Sequence, residues 1–191
     1  MQQLDRTADG ATPMKRSLWI ALVIAGSIGF SFAFSCATPF AALATLAALN
    51  TPRRDLFALL GLAWLANQAI GYGLLGYPQT WHSLGWGAAI GIAALLGTLA
   101  ALAVAPRVAR LGRTGMIAAT FLAAFTPYEL ALYAASFVLG SADAFLLPVV
   151  WRIFYMNVFA LVALLIVHQL ALAAGLIVAG GIGPRPALSV R

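Results

Sequence analysis

Long apolar runs, separated by short clusters of basic and turn-forming residues, set the pattern of this chain. The runs are Leu18–Leu49, Leu56–Gly76, Ser83–Ala105, Gly115–Leu139 and Trp151–Gly180. A transmembrane helix needs roughly 20 mostly apolar residues to cross about 30 Å of hydrocarbon, and every run reaches that length. The first is too long for a simple crossing, since at about 1.5 Å per residue it would extend ~48 Å. Its middle, Ser35-Cys36-Ala37-Thr38-Pro39, sets a helix breaker among polar neighbours. The run reads either as a tight hairpin of two spans or as one kinked helix, which makes six spans or five.

The basic residues favour the hairpin. With six spans, Arg6, Lys15, Arg16, Arg53, Arg54, Arg107, Arg110, Arg113, Arg185 and Arg191 share one side, and Arg152 stands alone on the other. Cytoplasmic loops are the ones enriched in Lys and Arg, so both termini are expected in the cytoplasm of a bacterial inner-membrane, multi-pass protein. The second half of the hairpin, Thr38–Asn50, is short for a crossing, and a sunken or re-entrant segment fits it as well.

Composition closes off other classes. The chain is 63% hydrophobic and 8% charged, against about 25% charged in a soluble domain. Its single cysteine, Cys36, makes no internal disulfide. The net charge of +6 is explained by the loop clusters and needs no nucleic-acid partner. The expected fold is all-α, a six-transmembrane-helix bundle (five if Leu18–Leu49 is one kinked helix). Residues 1–16 are expected to be a disordered cytoplasmic arm, 17–182 a single transmembrane domain and 183–191 a short tail. Asp5 and Asp9 within a long polar arm argue against a cleaved signal peptide. Trp19, Tyr77, Trp81, Trp86, Trp151 and Tyr155 fall near span ends, as interfacial aromatic belts do.

Polar groups at membrane depth are costly and therefore carry information about function. On the six-span reading Asn67 and Gln68 lie roughly 18–20 Å along an outward helix, Glu129 roughly 22 Å along another, and Asn157 about 9 Å below the outer boundary. Three helices thus bring hydrogen-bonding side chains to one level in the outer half. Trp64, Gln68 and Tyr72 share a helix face at i, i+4, i+8, and Tyr128 adjoins Glu129. Arg152 starts near the outer end of its helix and has the reach to descend toward Glu129. These eight residues, Trp64, Asn67, Gln68, Tyr72, Tyr128, Glu129, Arg152 and Asn157, are the candidate solute-binding set. The competing reading makes them interhelical hydrogen-bonding glue.

Catalytic and metal chemistry finds little footing. HExxH, GxSxG and phosphate-loop motifs are absent, and His82 and His168 fall near opposite faces of the membrane. Neither an enzyme nor a cofactor is expected.

Small residues recur along the first span at Ala21, Ala25 and Gly29, and Gly87 and Gly91 form a GxxxG further on. Such rows let helix backbones approach closely in lipid. With Ala21-x-x-x-Ala25 on the first helix and the polar layer in the outer half, the chain resembles the substrate-binding S components of energy-coupling-factor vitamin transporters. The resemblance implies capture of a small micronutrient solute from outside. It also implies a docking face at Ala21, Ala25 and Gly29 for a membrane coupling subunit with an ATPase. The lipid bilayer and the solute are then the other partners. A non-catalytic inner-membrane assembly or scaffold protein is the alternative.

Overall fold

The computed structural model of the protein describes residue 21, residues 38–141 and residues 145–175. Five α-helices lie in this part: α1 Phe40–Asn50, α2 Arg53–Ala69, α3 Trp81–Val104, α4 Gly112–Leu139 and α5 Leu147–Ala173. A π-helical turn, Ile70–Leu74, continues α2, and a 3-10 turn, Ala109–Leu111, precedes α4. The described residues contain no strand.

Four helices are long and apolar enough to cross a membrane: α2 with its π turn, α3, α4 with its 3-10 turn, and α5. This is an all-α membrane protein. Their outward faces carry large apolar side chains such as Leu65, Leu96, Leu130, Val138, Phe159 and Leu170, which suits contact with lipid rather than water. Trp81 and Trp151 are exposed at helix starts, where interfacial anchoring places them.

Helix boundaries differ from the apolar runs for local reasons. The second helix begins at Arg53, behind Pro52, and takes in Arg53, Arg54 and Asp55 because Pro52 presets the entry and Asp55 favours a helix N-terminus. The third starts at Trp81, where the Thr80 side chain accepts a hydrogen bond from Ser83 N at 3.2 Å. The fifth starts at Leu147 with a proline in its first turn.

The short helix α1 organises the interior. It has 11 residues, so it extends about 16 Å, roughly half the hydrocarbon thickness. Every residue from Phe40 to Leu49 is buried, and α1 packs against each of α2, α3, α4 and α5. Its sequence, FAALATLAALN, is apolar apart from Thr45, whose hydroxyl donates to Ala41 O at 2.7 Å, and the terminal Asn50, whose Nδ2 donates to Leu46 O at 2.9 Å. A helix apolar all round belongs in a core, and its alanines let the surrounding helices close in. Pro39 is its N-cap. The six-span count is not shown by the described residues, because the Leu18–Ala37 part of the first run lies outside them, apart from Ala21.

The largest interface is α3 on α4. Gly97 sits where an added Cβ would lie 2.6 Å from Ala124 O, so the two backbones touch there. Glycine is required by this approach. Between α4 and α5 the rings of Phe121, Phe125 and Phe154 cluster at centroid distances of 5.2–5.9 Å.

Candidate functional site

A cavity of about 190 Å³ opens at the N-terminal end of α1. Its walls come from all five helices or their flanks: Thr38 and Phe40 from α1, Asn67 from α2, Trp86 and Ile90 from α3, Tyr128, Glu129 and Leu132 from α4, and Ile153 and Asn157 from α5. Three long helices each contribute an i, i+4 pair (Trp86/Ile90, Tyr128/Leu132, Ile153/Asn157), the spacing that puts two side chains on one helix face. Among the described residues α1 is too short to fill the interior from end to end, and the cavity lies at its first turn.

The polar groups are held in detail. Thr38 Oγ1 donates to Asn67 Oδ1 at 2.7 Å. Asn157 Nδ2 donates to Ile153 O at 3.0 Å, and its Oδ1 accepts from Ala42 N at 3.4 Å. Asn157 thus serves one of the first-turn N–H groups that a helix leaves without an internal partner. Glu129 is 7% exposed, and among the described residues neither of its carboxyl oxygens has a hydrogen-bond partner. The apolar walls are aromatic on two sides, with Phe40 and Tyr128 at a centroid distance of 6.2 Å and Trp86 from the facing helix. Few fixed polar groups on apolar and aromatic walls is the composition of a small-molecule site.

Four of the eight residues named from sequence line this cavity: Asn67, Tyr128, Glu129 and Asn157. Trp64, Gln68 and Tyr72 do share a face, and that face packs on α3. Trp64 Nε1 donates to Gly87 O at 2.9 Å, and Tyr72 Oη bonds Ser83 Oγ at 3.2 Å. Gly87 makes room for Gln68 and Gly91 makes room for the Trp64 indole, so the GxxxG is a seat for bulky α2 side chains. Arg152 is exposed on α5 and does not line the cavity; no ion pair joins it to Glu129. Ala21 is exposed, and Ala25 and Gly29 lie outside the described residues.

The sequence does not mark Thr38, Phe40, Trp86, Ile90, Leu132 and Ile153 as wall residues. Trp86 carries a signal: it stands one turn before Ile90 and well inside α3, five residues from its start. The histidines are apart from the cavity. His82 Nε2 bonds the Leu139 carbonyl at the C-terminal end of α4, and His168 is buried 11 residues beyond Asn157, about 16 Å along α5. Among the described residues no three His, Cys, Asp or Glu side chains group to hold a metal.

Comparisons of the chain with protein-family models, with curated proteins and with solved structures found no match.

Proposed function

We propose that this protein binds a small solute in the outer half of the bacterial inner membrane and serves as the substrate-capture subunit of a micronutrient importer, of the S-component type. The observation that carries this is the cavity itself, where Asn67, Glu129 and Asn157 from three helices meet Trp86 and Tyr128. In this reading the chain crosses the membrane six times with both termini in the cytoplasm, as the ten-to-one division of basic residues favours. The cavity then opens outward. Transport would need a membrane coupling subunit with an ATPase, docked at Ala21, Ala25 and Gly29.

The test is solute carry-over. Small molecules are extracted from purified full-length protein and from Trp86→Leu and Glu129→Gln variants, then compared by mass spectrometry. The expected result is a species retained by the wild type and depleted in both variants. The alternative, an assembly or scaffold protein, draws support from Trp64, Gln68 and Tyr72, whose contacts are with α3. It expects no retained solute and stoichiometric co-purification of other membrane subunits.

A further inference from the structure

The chemistry left unspent in the cavity narrows the class of solute. Asn157 uses its Oδ1 on Ala42 N and its Nδ2 on Ile153 O. Asn67 uses its Oδ1 on Thr38. Beside neutral donors on Asn67, Trp86 and Tyr128, the one charged group is the Glu129 carboxyl, nine-tenths buried, with both oxygens unpartnered among the described residues. Among the described residues no Lys, Arg or His lines the cavity, so these walls hold no counter-charge. A buried carboxylate without a partner is expensive, and a proton or a ligand cation must relieve it.

An anionic ligand gains little here. Helix N-termini attract anions through their free N–H groups, yet at this one two of the first-turn N–H groups are already engaged, Phe40 N by Thr38 O at 2.8 Å and Ala42 N by Asn157 Oδ1 at 3.4 Å. Glu129 would also repel an anion across so small a space. A cation gains twice, from the carboxylate and from the Trp86, Phe40 and Tyr128 rings, whose faces attract positive charge. The oxygens also lack hydrogen-bond donors, which an ammonium group with N–H bonds supplies and a quaternary one does not. The cavity of about 190 Å³ has room for roughly six waters at about 30 Å³ each.

We propose that the solute is a small protonated amine, its ammonium group held by the Glu129 carboxylate and its carbon skeleton against Trp86, Phe40 and Tyr128. This rests on the solute-binding reading above and adds the charge and size of what is bound.

The experiment titrates full-length protein in lipid nanodiscs at pH 7 with three probes of matched size: butylammonium chloride, butan-1-ol and sodium butyrate. Calorimetry should show butylammonium binding about tenfold or more tightly than either of the others, the scale of a charge-assisted hydrogen bond. Glu129→Gln should lose that preference, Glu129→Asp should keep part of it, and Trp86→Leu should weaken all binding. Should Glu129→Gln fail to fold, the wild type still decides. Butylammonium, and not butan-1-ol, should protect Glu129 from dicyclohexylcarbodiimide, read by peptide mass. Binding of butan-1-ol or butyrate at least as tight as butylammonium, lost in Trp86→Leu, overturns the amine and leaves the solute site standing. Binding of none of the three probes, with no carbodiimide protection, overturns the amine and the solute site together.

Discussion

At the scale of single residues, the polar groups around the cavity divide by what they touch. Asn157 completes the first turn of α1, so its removal leaves the buried Ala42 N–H without an acceptor. Asn157→Ala should therefore destabilise the protein by about 1–2 kcal/mol, and Asn67→Ala, which removes one acceptor from a threonine hydroxyl, by less. Thermal unfolding of the detergent-solubilised variants checks the order. Arg152 has no such duty. Arg152→Gln should change stability by less than about 0.5 kcal/mol, and its effect should add to that of Glu129→Gln within about 0.5 kcal/mol. A double-mutant cycle with a larger coupling would show that the two charges meet.

These residues also show what the sequence discloses and what it withholds. Depth follows from counting, because a helix rises by a fixed amount per residue. Counting alone assigns Asn67, Glu129 and Asn157 to one layer, and they line one cavity. Rotation is harder. Asn67 and Gln68 are neighbours in sequence, yet they point about 100° apart on α2, one into the cavity and the other onto Gly87. Which of two adjacent polar residues faces a site depends on where the next helix docks, and a helix apolar on most sides carries no stripe from which to read that. Trp86 illustrates the same limit, being an aromatic in the second turn of α3 that turns inward.

At the scale of helices, close approach sets the tolerances. A methyl at Gly97 would meet the Ala124 carbonyl, a backbone atom that can move only if α3 and α4 separate. Gly97→Ala should destabilise by about 1–3 kcal/mol, more than offsetting the roughly 1 kcal/mol that alanine gains as a helix former. Gly61→Ala on α2, where nothing lies within 4 Å, should be neutral or stabilising. Gly91→Ala should fall between them, since its methyl would press on the Trp64 indole at 2.9–3.0 Å. The melting temperatures of these three variants rank the contacts. The GxxxG was legible as spacing, whereas Gly97 was not, because one glycine in a small-residue-rich helix has no pattern to distinguish it.

For the molecule as a whole, topology is the quantity that organises the rest. Reporter fusions after Arg54 and after Arg113 should read cytoplasm, and one after Thr80 the outside, as the charge distribution expects. A periplasmic signal from the Arg113 fusion would reverse the side to which the cavity opens, and with it the direction of capture. The start of α1 behind Pro39 was legible because proline is tolerated at a helix entrance, whereas Pro127 lies within α4 without ending it. The enclosure of α1 by four other helices was not, since it is made by contacts between segments far apart in the chain.

That enclosure bears on how the protein is made. Released into lipid by itself, a helix of half-membrane length would leave its terminal N–H and C=O groups in hydrocarbon, at a cost of several kcal/mol for each unsatisfied group. The segment Phe40–Asn50 is synthesised before α3, α4 and α5, yet it needs them to shield its ends and flanks. Biogenesis then runs against chain order, with an early segment waiting beside the insertion machinery for later ones. A cysteine introduced at Thr45, which is fully buried in the finished protein, should react with maleimide in nascent chains halted after Leu139. It should become inaccessible once α5 has been added. Placement of the core, rather than entry of the long helices, would then set the pace of assembly.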